Sequence, residues 1–410
     1  MSVAAANGGN VLVQKFGGTS VATPEGRAAL RARVHDALDA GRSPVVVVSA
    51  MGRAGAPYAT DTLLSLIDGY ETVPREADLL AACGEVVSAV IVAHELRAEG
   101  IPATAMTGAE AGVLTDEDYG DASVLRVDPG ALTAALEAGL VPVVTGFQGA
   151  TASGETTTLG RGGSDTSACA IAAALGAVAV EIYTDVDGVM TADPRTCDGA
   201  RVLDALQYEE LFQMARAGSK VMHAPAAETA MAAGVPVWVR NASTRSPGTL
   251  ITDAERLLGE RARRVATAVS HSDGVARAIV TLPDGEGRVG SLTAVFREMA
   301  VAGISLDMFT PLGDALTLSF DEGRLEDVRG VLDSLGLGAC FQTGLATVTL
   351  VGAGMHGVPG VMARIAATLA AAGVEILQVA DSHYTISVLV ERDTSRQAIH
   401  ALHDEFGLGG

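Results

Sequence analysis

The chain has 410 residues, enough for two to four domains, and 48% of them are apolar, which is ample for large hydrophobic cores. Its 28 Lys and Arg stand against 49 Asp and Glu, and the net charge of −21 argues against nucleic acid or an anionic membrane as a partner. The four cysteines form no CxxC pair, so neither a zinc site nor a disulfide framework is indicated.

The termini and apolar segments also bear on location. The N-terminus shows no basic region followed by a long apolar stretch, which is the pattern of a signal peptide. No segment is interpreted as having the uninterrupted apolar length of a membrane span. We therefore expect a cytoplasmic protein with no membrane partner.

The first predicted strand covers residues 10–16 and is broken by the glycine pair that follows it. Lys15 stands at the end of this strand, where its ammonium group can reach a phosphate as a point charge. A lone lysine at a strand end is also typical of a solvated surface. The loop is not a Walker loop, because the pattern GxxxxGK[ST] is absent.

Short apolar strands then alternate with longer helical stretches, which predicts a buried parallel sheet with helices on both faces. The predicted strands cover residues 44–49, 141–145, 177–184 and 235–240, and the predicted helices include residues 25–38 and 77–97. In such a sheet, ligands bind at the carboxyl ends of the strands. The polar loops of this chain follow its strands, as that rule requires.

A glycine-rich loop, a helix start and a second polar loop lie in TTTLGRGGSDTSACAIAAALGAVAVEIYTDVDGVMTADPR, residues 156–195. Three glycines permit a tight turn and the close approach of a ligand: Gly160, Gly162 and Gly163. Ser164 is the predicted N-cap of the next helix and Asp165 lies in its first turn, where free N–H groups bind anions. Arg161 adds a planar fork suited to a carboxylate or a phosphate.

The charged segment 253–264 is interpreted as a linker, and an internal repeat follows it. ARAIVTLPD from Ala276 and ATVTLVGAG from Ala346 begin 70 residues apart. Gly290 and Gly360 each precede a predicted helix at the same offset. Each repeat reads strand, helix, strand, strand, helix.

Several long motifs, in order and over nearly the whole chain, resemble those of aspartate kinases in the amino-acid-kinase superfamily. They are VQKFGGTSVATPEGR, VVVVSAMGRAGAPYATDTLLSL, TGAEAGVLT, GFQGATASGETTTLGRGGSDTSA, EIYTDVDGVMTADPR, PVWVRNASTRSPGTLI and VTLVGAGMHGVPGV. The resemblance implies an α/β amino-acid-kinase fold, a mainly parallel sheet between helical layers, in residues 1–252. After the linker it implies two α+β ACT domains, residues 265–342 and 343–410, with the end of the second packing back on the first.

The implied reaction is transfer of the γ-phosphoryl group of ATP to the side-chain carboxylate of L-aspartate, giving 4-phospho-L-aspartate. This is the first step toward lysine and diaminopimelate, threonine and methionine. A carboxylate of pKa about 4 is already ionised at neutral pH, so no general base is required. Mg²⁺ is expected to bridge phosphate oxygens and keep several waters, so no dedicated protein metal site is expected.

The resemblance also implies roles for individual residues. The catalytic candidates are Lys15, Arg161 and Asp165. The aspartate-binding candidates are Ser49, Thr60, Glu85, Arg161 and Asp165. The nucleotide-binding candidates are Lys15, Gly17, Gly18, Thr184, Asp185, Met190, Arg195 and Lys220. Arg161 is expected to clamp the α-carboxylate, and Glu85 to accept hydrogen bonds from the ammonium group.

The tandem ACT repeat implies feedback control by an amino acid and a homodimer formed through the ACT domains. The second repeat is most similar to kinases inhibited by meso-diaminopimelate, so we expect that effector first and lysine or threonine second. The effector-binding candidates are Asp307, Met355, Gly360, Asp381 and Thr385. An alternative is that the repeat only stabilises a dimer.

Three segments depart from the family pattern. Met190 replaces a frequent tyrosine, and Arg288-Val289-Gly290 stands where a Lys-Pro-Gly turn is usual. HAPAAE at residues 223–228 stands where relatives commonly read HPRAVE, and this loss of an arginine bears on ATP affinity more than on the substrate. The sequence leaves two alternative functions open: a superfamily kinase that acts on glutamate or acetylglutamate, and a catalytically weak amino-acid sensor, for which the altered HAPAAE segment is the only support.

Overall fold

The computed structural model describes residues 8–219, 222–257, 265–283, 287–355 and 357–409. The chain divides into two compact units. The first unit comprises Met1–Val189, Val202–Ala215 and Lys220–Arg261, and the second comprises Met190–Arg201, Arg216–Ser219 and Ala262–Gly410. The second unit therefore includes short segments that come from the middle of the chain.

The strands of the first unit are β1 (Val11–Phe16), β2 (Ser43–Val48), β3 (Ala103–Met106), β4 (Val113–Thr115), β5 (Val124–Val127), β6 (Val141–Thr145), β7 (Gln148–Ala150), β8 (Thr156–Thr158), β9 (Ala179–Thr184), β10 (Ala205–Gln207), β11 (Val237–Asn241) and β12 (Thr249–Thr252). Eight of them form one sheet in the order β10-β12-β11-β9-β1-β2-β6-β3. Its pairs are parallel except for β11 with β12. The predicted α/β class with a mainly parallel sheet is confirmed.

The helices of the first unit are α1 (Gly18–Ala22), α2 (Pro24–Asp39), α3 (Thr60–Leu64), α4 (Pro74–Ala98), α5 (Gly130–Glu137), α6 (Gly163–Leu175), α7 (Tyr208–Arg216) and α8 (Ala224–Ala233). Phe16 packs with side chains of α2 and α4 in one hydrophobic core, whereas Lys15 contacts α6. Neighbouring residues of a strand point to opposite faces, so helices cover both faces of the sheet around β1. This arrangement leaves the carboxyl ends of the strands open for the site.

The remaining four strands form a smaller sheet in the order β5-β4-β7-β8. Strand β8 leads directly into the glycine-rich loop and then into α6. Helix α4 is bound to this sheet because Gln148 Nε2 donates a 3.0 Å hydrogen bond to the Ala82 carbonyl. The small sheet thus carries the glycine-rich loop and is fixed against α4.

Helix α4 corrects the expectation about apolar segments, because within the described residues it is long and apolar enough to cross a membrane by length and composition. Half of its apolar window is buried inside the protein, as in a core helix. It also carries two buried carboxyl side chains, Asp78 and Glu85. Its length and composition alone are therefore weak evidence for a membrane span.

The second unit contains β13 (Ala268–Thr281), β14 (Met308–Leu312), β15 (Ala315–Asp321), β16 (Ala339–Val351), β17 (Gln378–Asp381) and β18 (Thr385–Glu391), with α9 (Gly287–Val301), α10 (Leu325–Ser334), α11 (Val361–Ala371) and α12 (Arg392–Glu405). The strands form one sheet in the order β14-β15-β13-β16-β18-β17. The chain order is strand, helix, strand, strand, helix in each half, which is the predicted repeat. The first strands of the two halves, β13 and β16, pair at the centre of the sheet.

The glycines of the repeat are only partly equivalent. Gly303 and Gly373 follow α9 and α11 with φ of 64° and 70°, so both helices end in the same left-handed turn. Gly360 is the N-cap of α11, as predicted. Gly290 lies inside α9 instead of before it, because this helix already begins at Gly287. The predicted position of the first helix start was therefore wrong by one turn.

The segment Met190–Arg201 is held within the second unit by α12 and the residues after it. Thr191 Oγ1 lies 2.9 Å from Nε2 of the fully buried His403, and Arg201 Nε donates to the Leu408 carbonyl at 2.8 Å. Cys197 is buried in the same hydrophobic core as α11 and α12. This segment is therefore a structural part of the second unit.

Candidate active site

Three neighbouring strands of the large sheet, β9, β1 and β2, end at the same edge. Lys15 of β1 is in register with Val47 of β2 and with Ile182 of β9. Ser49 directly follows β2, and Thr184 is the last residue of β9. The parallel register thus places Lys15, Ser49 and Thr184 at one edge of the sheet.

An ion pair occupies the end of β1. Lys15 Nζ lies 2.5 Å from Asp165 Oδ1, and the two side chains are only 11% and 10% exposed. Asp165 lies in the first turn of α6, as predicted. The predicted N-cap, Ser164, is wrong: Gly162 is the N-cap with φ of 72°, because a left-handed residue at this turn starts the helix earlier.

The loop after β1 lies against the loop after β2. Gly17 N donates a 3.2 Å hydrogen bond to the Tyr183 carbonyl, which joins this loop to β9. A Cβ atom on Gly18 would lie only 2.6 Å from the Ala50 carbonyl oxygen. The second glycine is therefore required for the close contact of the two loops, and not only for ending β1.

Glu85 reaches the same loop from α4. Its Oε1 accepts a 2.9 Å hydrogen bond from Ala50 N, while Oε2 has no hydrogen-bond partner among the described residues. Burial raises the pKa of the Glu85 carboxyl to about 7. The close contact is permitted by Gly84, where a Cβ would lie 2.7 Å from that of Ala50. Glu85 therefore offers a free, buried oxygen atom for a cationic group.

Ser49 connects the loop after β2 to α6, because its Oγ donates a 3.0 Å hydrogen bond to Ser164 Oγ. Thr60 is the first residue of the short helix α3 and is half-buried. Gly55 N donates to the hydroxyl of Thr62 in the first turn of the same helix. The loop that follows Ser49 is thus folded back on α3, the helix that begins at Thr60.

Arg161 is exposed on the glycine-rich loop, and its side chain has no hydrogen bond or ion pair to the part of the chain that the structure describes. The loop on either side of it is closely packed. A Cβ on Gly160 would lie 2.2 Å from Asp121 Oδ1, and one on Gly162 would lie 2.2 Å from His223 Cβ. The guanidinium group is therefore free for a ligand while its backbone is fixed.

The contact with His223 places the altered segment HAPAAE beside the glycine-rich loop. His223 is the N-cap of α8, and this helix packs against α6.

Phe147, which follows β6, is the one non-glycine residue with positive φ in the described ranges, at 68°, and its side chain lies against Gly163. A left-handed backbone conformation costs free energy for a residue with a bulky side chain, and such strained residues are typical of functional sites.

The predicted nucleotide loop begins at the end of β9. Thr184 Oγ1 donates to Asp185 Oδ1 at 3.1 Å, and Asp185 Oδ2 accepts a 2.9 Å hydrogen bond from Arg53 Nη2. This last pair is largely exposed, so it contributes little to stability. It does join the loop after β2 to the loop after β9.

Three further residues are predicted to bind the nucleotide: Met190, Arg195 and Lys220. Met190 and Arg195 belong to the second unit. Arg195 is exposed and is paired with Asp193, whose pKa it lowers through a 2.6 Å hydrogen bond to the carboxylate. Lys220 lies outside the described residues.

The predicted effector residues all lie in the second unit. Asp307 immediately precedes β14, and Asp381 ends β17. These two outer strands approach each other, because Gln378 Nε2 donates a 3.1 Å hydrogen bond to Thr310 Oγ1. Gly360 caps α11, and the Thr385 hydroxyl at the start of β18 lies 2.8 Å from that of Ser382, whereas Met355 is buried in the hydrophobic core.

Two residues at the site were missed by the sequence reading. Phe147 gives no sequence signal, since its backbone conformation depends on the surrounding fold. Asp78 has a local signal: it lies seven residues before Glu85 on α4, which places both carboxyl groups on one face two turns apart. An acidic residue two helical turns from Glu85, a predicted substrate-binding residue, indicates a second carboxyl group on the face of α4 that is directed at the site.

Residues 10–241 match the family model of the amino acid kinase family, and residues 341–404 match that of the ACT domain. The chain is 42% identical to aspartokinase 1 of Bacillus subtilis strain 168 over 402 residues, covering 97% of this chain and 99% of that protein. It is similar to the solved structure of E. coli aspartokinase III in complex with aspartate and ADP in the R-state, with a TM-score of 0.79, 25% identity, and coverage of 97% and 99% of the two chains. The complex of that enzyme with lysine and aspartate in the T-state matches with a TM-score of 0.76 and 26% identity over the same shares.

Proposed function

The chain belongs to the aspartokinases, which phosphorylate aspartate, and from that premise we propose that it transfers the γ-phosphoryl group of ATP to the side-chain carboxylate of L-aspartate under feedback control. The product is 4-phospho-L-aspartate, the first intermediate toward lysine and diaminopimelate, threonine and methionine. The observation that carries the proposal is the buried Lys15–Asp165 ion pair at the edge where β9, β1 and β2 end. Its cation supports the proposal because a transferring phosphoryl group needs its negative charge neutralised.

We assign the recognition of aspartate to both positively and negatively charged side chains. Arg161 clamps the α-carboxylate with two parallel hydrogen bonds, and its exposed, unpaired guanidinium supports this role. The free Oε2 of Glu85 accepts from the ammonium group, and Asp165 assists it. Ser49 and Thr60 line the pocket.

Lys15 acts on the phosphoryl group. The aspartate carboxylate is already ionised, so the enzyme has to bring two anions together and neutralise the charge that develops. Lys15 supplies a cation, and the loop of Gly17 and Gly18 brings backbone close to the phosphate. Asp165 holds the ammonium group of Lys15 in place before substrates bind.

The nucleotide is assigned to the loop after β9 and the residues that follow it. The proposed contacts are Thr184, Asp185, Met190, Arg195 and Lys220. Oxygen donors of the kind that Mg²⁺ prefers are present here, because the Asp185 carboxylate is exposed and adjoins the Thr184 hydroxyl. Mg²⁺ supplies charge neutralisation on the phosphate oxygens when it is bound. The structure of E. coli aspartokinase III with ADP supports the use of an adenine nucleotide.

Control is assigned to the second unit, with meso-diaminopimelate as the first candidate effector and lysine or threonine as the next. The complex of E. coli aspartokinase III with lysine and aspartate supports an amino-acid effector. Asp307 is the proposed partner of the effector ammonium group, with Met355, Gly360, Asp381 and Thr385 around it. The proposal includes a homodimer formed through the ACT domains, a cytoplasmic location, and domain limits at residues 252, 264 and 342.

The test is a coupled assay of ADP release, run with no acceptor, with L-aspartate, with L-glutamate and with N-acetylglutamate. Hydroxylamine is added in parallel, because an acyl phosphate is converted to a hydroxamate that can be identified by mass. We expect ADP and aspartyl hydroxamate in equal amounts with aspartate alone. Turnover with glutamate or acetylglutamate instead would contradict the assigned substrate. Absence of turnover together with amino-acid binding would indicate a sensor.

A further inference from the structure

Asp78 is a buried carboxylate that the proposed chemistry does not use. It lies in the second turn of α4 and is 3% exposed. Its Oδ2 accepts hydrogen bonds from Thr158 N at 2.7 Å and from Gly120 N at 3.1 Å, while Oδ1 accepts from Thr158 Oγ1 at 2.9 Å. All three bonds reach residues at least 42 positions away in the chain. The side chain therefore fixes two distant segments to α4.

Both of these segments are connected to the loop that carries Arg161, one through the chain and the other through a hydrogen bond. Thr158 is the last residue of β8, three positions before Arg161. Gly120 belongs to the turn between β4 and β5, and this turn is bonded to β8 because Ala122 N donates to the Thr158 carbonyl at 2.9 Å. Gly160 in turn lies against Asp121. Asp78 thus anchors a compact set of backbone segments from which the arginine extends.

The same helix carries Glu85 two turns after Asp78, and the Glu85 carboxylate accepts a hydrogen bond from Ala50 N. Helix α4 is rigid across this distance because its backbone is continuously hydrogen-bonded and its inner face is buried. The two carboxyl groups therefore fix, from one helix, the loop that carries Arg161 and the loop that carries Ser49.

We propose that Asp78 is a positioning residue for aspartate: it holds the β8–α6 loop so that Arg161 meets the substrate α-carboxylate at a fixed spacing from Glu85. The inference rests on the proposed function of Arg161. Asp78 does not touch the substrate, and it acts through the loop. Its loss therefore weakens use of aspartate and leaves the affinity for ATP nearly unchanged.

The experiment is a double-variant cycle of Asp78→Ala and Arg161→Ala, with kcat/KM for aspartate, KM for ATP and the thermal midpoint measured on purified full-length protein. We expect Asp78→Ala to lower kcat/KM for aspartate about 10- to 100-fold, since misplacement of a binding group by about 1 Å has effects of this size. In the Arg161→Ala background the same change should lower it less than about twofold, because residues that act as a unit are not additive. Equal losses in both backgrounds would show that Asp78 only supports the fold, and would overturn the proposal.

A conservative variant and a milder one keep the test independent of folding. Asp78→Asn should retain most activity, because the amide oxygen can accept both N–H groups and the Thr158 hydroxyl can reverse to accept from the amide. Thr158→Val removes only the hydroxyl bond and should raise KM for aspartate about threefold or more by loosening the loop. Thr156→Val on the same strand is the matched control, because its hydroxyl makes no hydrogen bond within the described residues. Equal KM values for the two valine variants would overturn the part of the proposal that assigns positioning of the loop to the hydroxyl bond, because the two N–H bonds to Asp78 remain in Thr158→Val.

The cycle also separates this inference from the proposed function. If wild-type protein releases no ADP with aspartate, the proposed function fails before any variant is made. If Arg161→Ala keeps normal kcat/KM, the clamp is wrongly assigned and the route from Asp78 through Arg161 is overturned. If Arg161→Ala is impaired but Asp78→Ala is normal, the function stands and only the positioning role is overturned.

Discussion

Lys15 Nζ and Asp165 Oδ1 are 2.5 Å apart, which connects the end of β1 to the first turn of α6 through one buried ion pair. The lysine is thereby oriented before any phosphate arrives, and its charge is already compensated. A phosphate that binds here shares the cation with Asp165. The pair therefore has both a structural role and a proposed catalytic role, and variants can separate the two.

Lys15→Met should lower kcat by far more than it changes KM for aspartate, because the charge of Lys15 matters most as negative charge develops in the transition state. Loss of one such group typically costs about 10²- to 10³-fold in kcat. Steady-state kinetics with both substrates varied provide the measurement. A raised KM at normal kcat would instead assign Lys15 to simple binding.

The stability of the same variant should also fall, because Asp165 is left buried without its cation, at a cost of about 3–5 kcal/mol for a well-buried pair. The second substitution Asp165→Asn removes that charge and should recover much of the lost stability. Activity should not recover in the double variant. Recovery of both properties would mean that Lys15 has no role beyond the ion pair.

Arg161→Ala should nearly abolish use of aspartate and leave the thermal midpoint unchanged, because the side chain is exposed and makes no bond within the described ranges. In the proposed complex, the substrate α-carboxylate forms a buried charge pair with Arg161, and loss of one partner of such a pair costs about 2–5 kcal/mol in binding. Arg161→Lys keeps the charge but not the planar fork, so it should recover only a small part. The clamp is wrongly assigned if the lysine variant matches wild type.

The Glu85 carboxyl should make kcat/KM for aspartate depend on pH. Its pKa of about 7 means that the ionised form, which accepts from the ammonium group, becomes populated as pH rises through neutrality. We expect kcat/KM to rise toward a plateau above about pH 7 and to follow the pKa of the free enzyme. Glu85→Gln should be less active and flat in this range. An unchanged pH profile in the glutamine variant would remove Glu85 from substrate binding.

The Glu85 carboxyl should also make the folding stability depend on pH, and this contribution should fall as pH rises. Burial raises its pKa from 4.5 to about 7, so the folded protein binds more protons than the unfolded chain between these values. Stability from this group is therefore complete below about pH 4.5 and is lost as pH rises to about 7, by on the order of 3 kcal/mol. Glu85→Gln lacks this loss, so its thermal midpoint relative to wild type should increase from about pH 5 to about pH 8. A constant difference would contradict the raised pKa.

An amino-acid effector should bind the second unit and inhibit turnover. Calorimetric titration of the whole protein with meso-diaminopimelate, lysine and threonine provides the measurement, with aspartate present and absent. Coupling between sites is typically about 1–3 kcal/mol and is reciprocal, so the effector and aspartate should weaken each other's binding equally. Asp307→Asn should weaken the effector without changing uninhibited kcat. If none of the three binds or changes the rate, the ACT repeat is only structural.

The parts of the fold that sequence predicts are those set by local pattern. The strand ending at Lys15 is marked by an apolar run and a glycine pair, and Asp165 follows a glycine loop within a few residues. The start of α6 was misplaced because Gly162 takes a left-handed conformation that no propensity rule assigns to one glycine among three. Local chemistry therefore predicts the element, while its first residue depends on the backbone around it.

Long-range contacts are where local pattern gives no information. Asp78 and Thr158 are 80 residues apart in the chain, and Thr191 and His403 are 212 apart. Nothing near Thr191 in sequence indicates that its hydroxyl faces a buried histidine of the last helix. The prediction that Met190 and Arg195 bind nucleotide came from motif resemblance, and it remains a prediction.

The assignment of Met190–Arg201 to the second unit has a consequence for anyone who engineers this protein. The chain passes from one unit to the other repeatedly, so no single cut yields both units whole. A fragment that stops after Thr252 keeps Ala192 and Cys197 but loses the helices that bury them. Such a fragment is expected to aggregate through its exposed apolar side chains, so its kinetics would not represent the regulation of the whole protein. For the same reason, exchange of one unit between proteins at a single junction would divide the second unit.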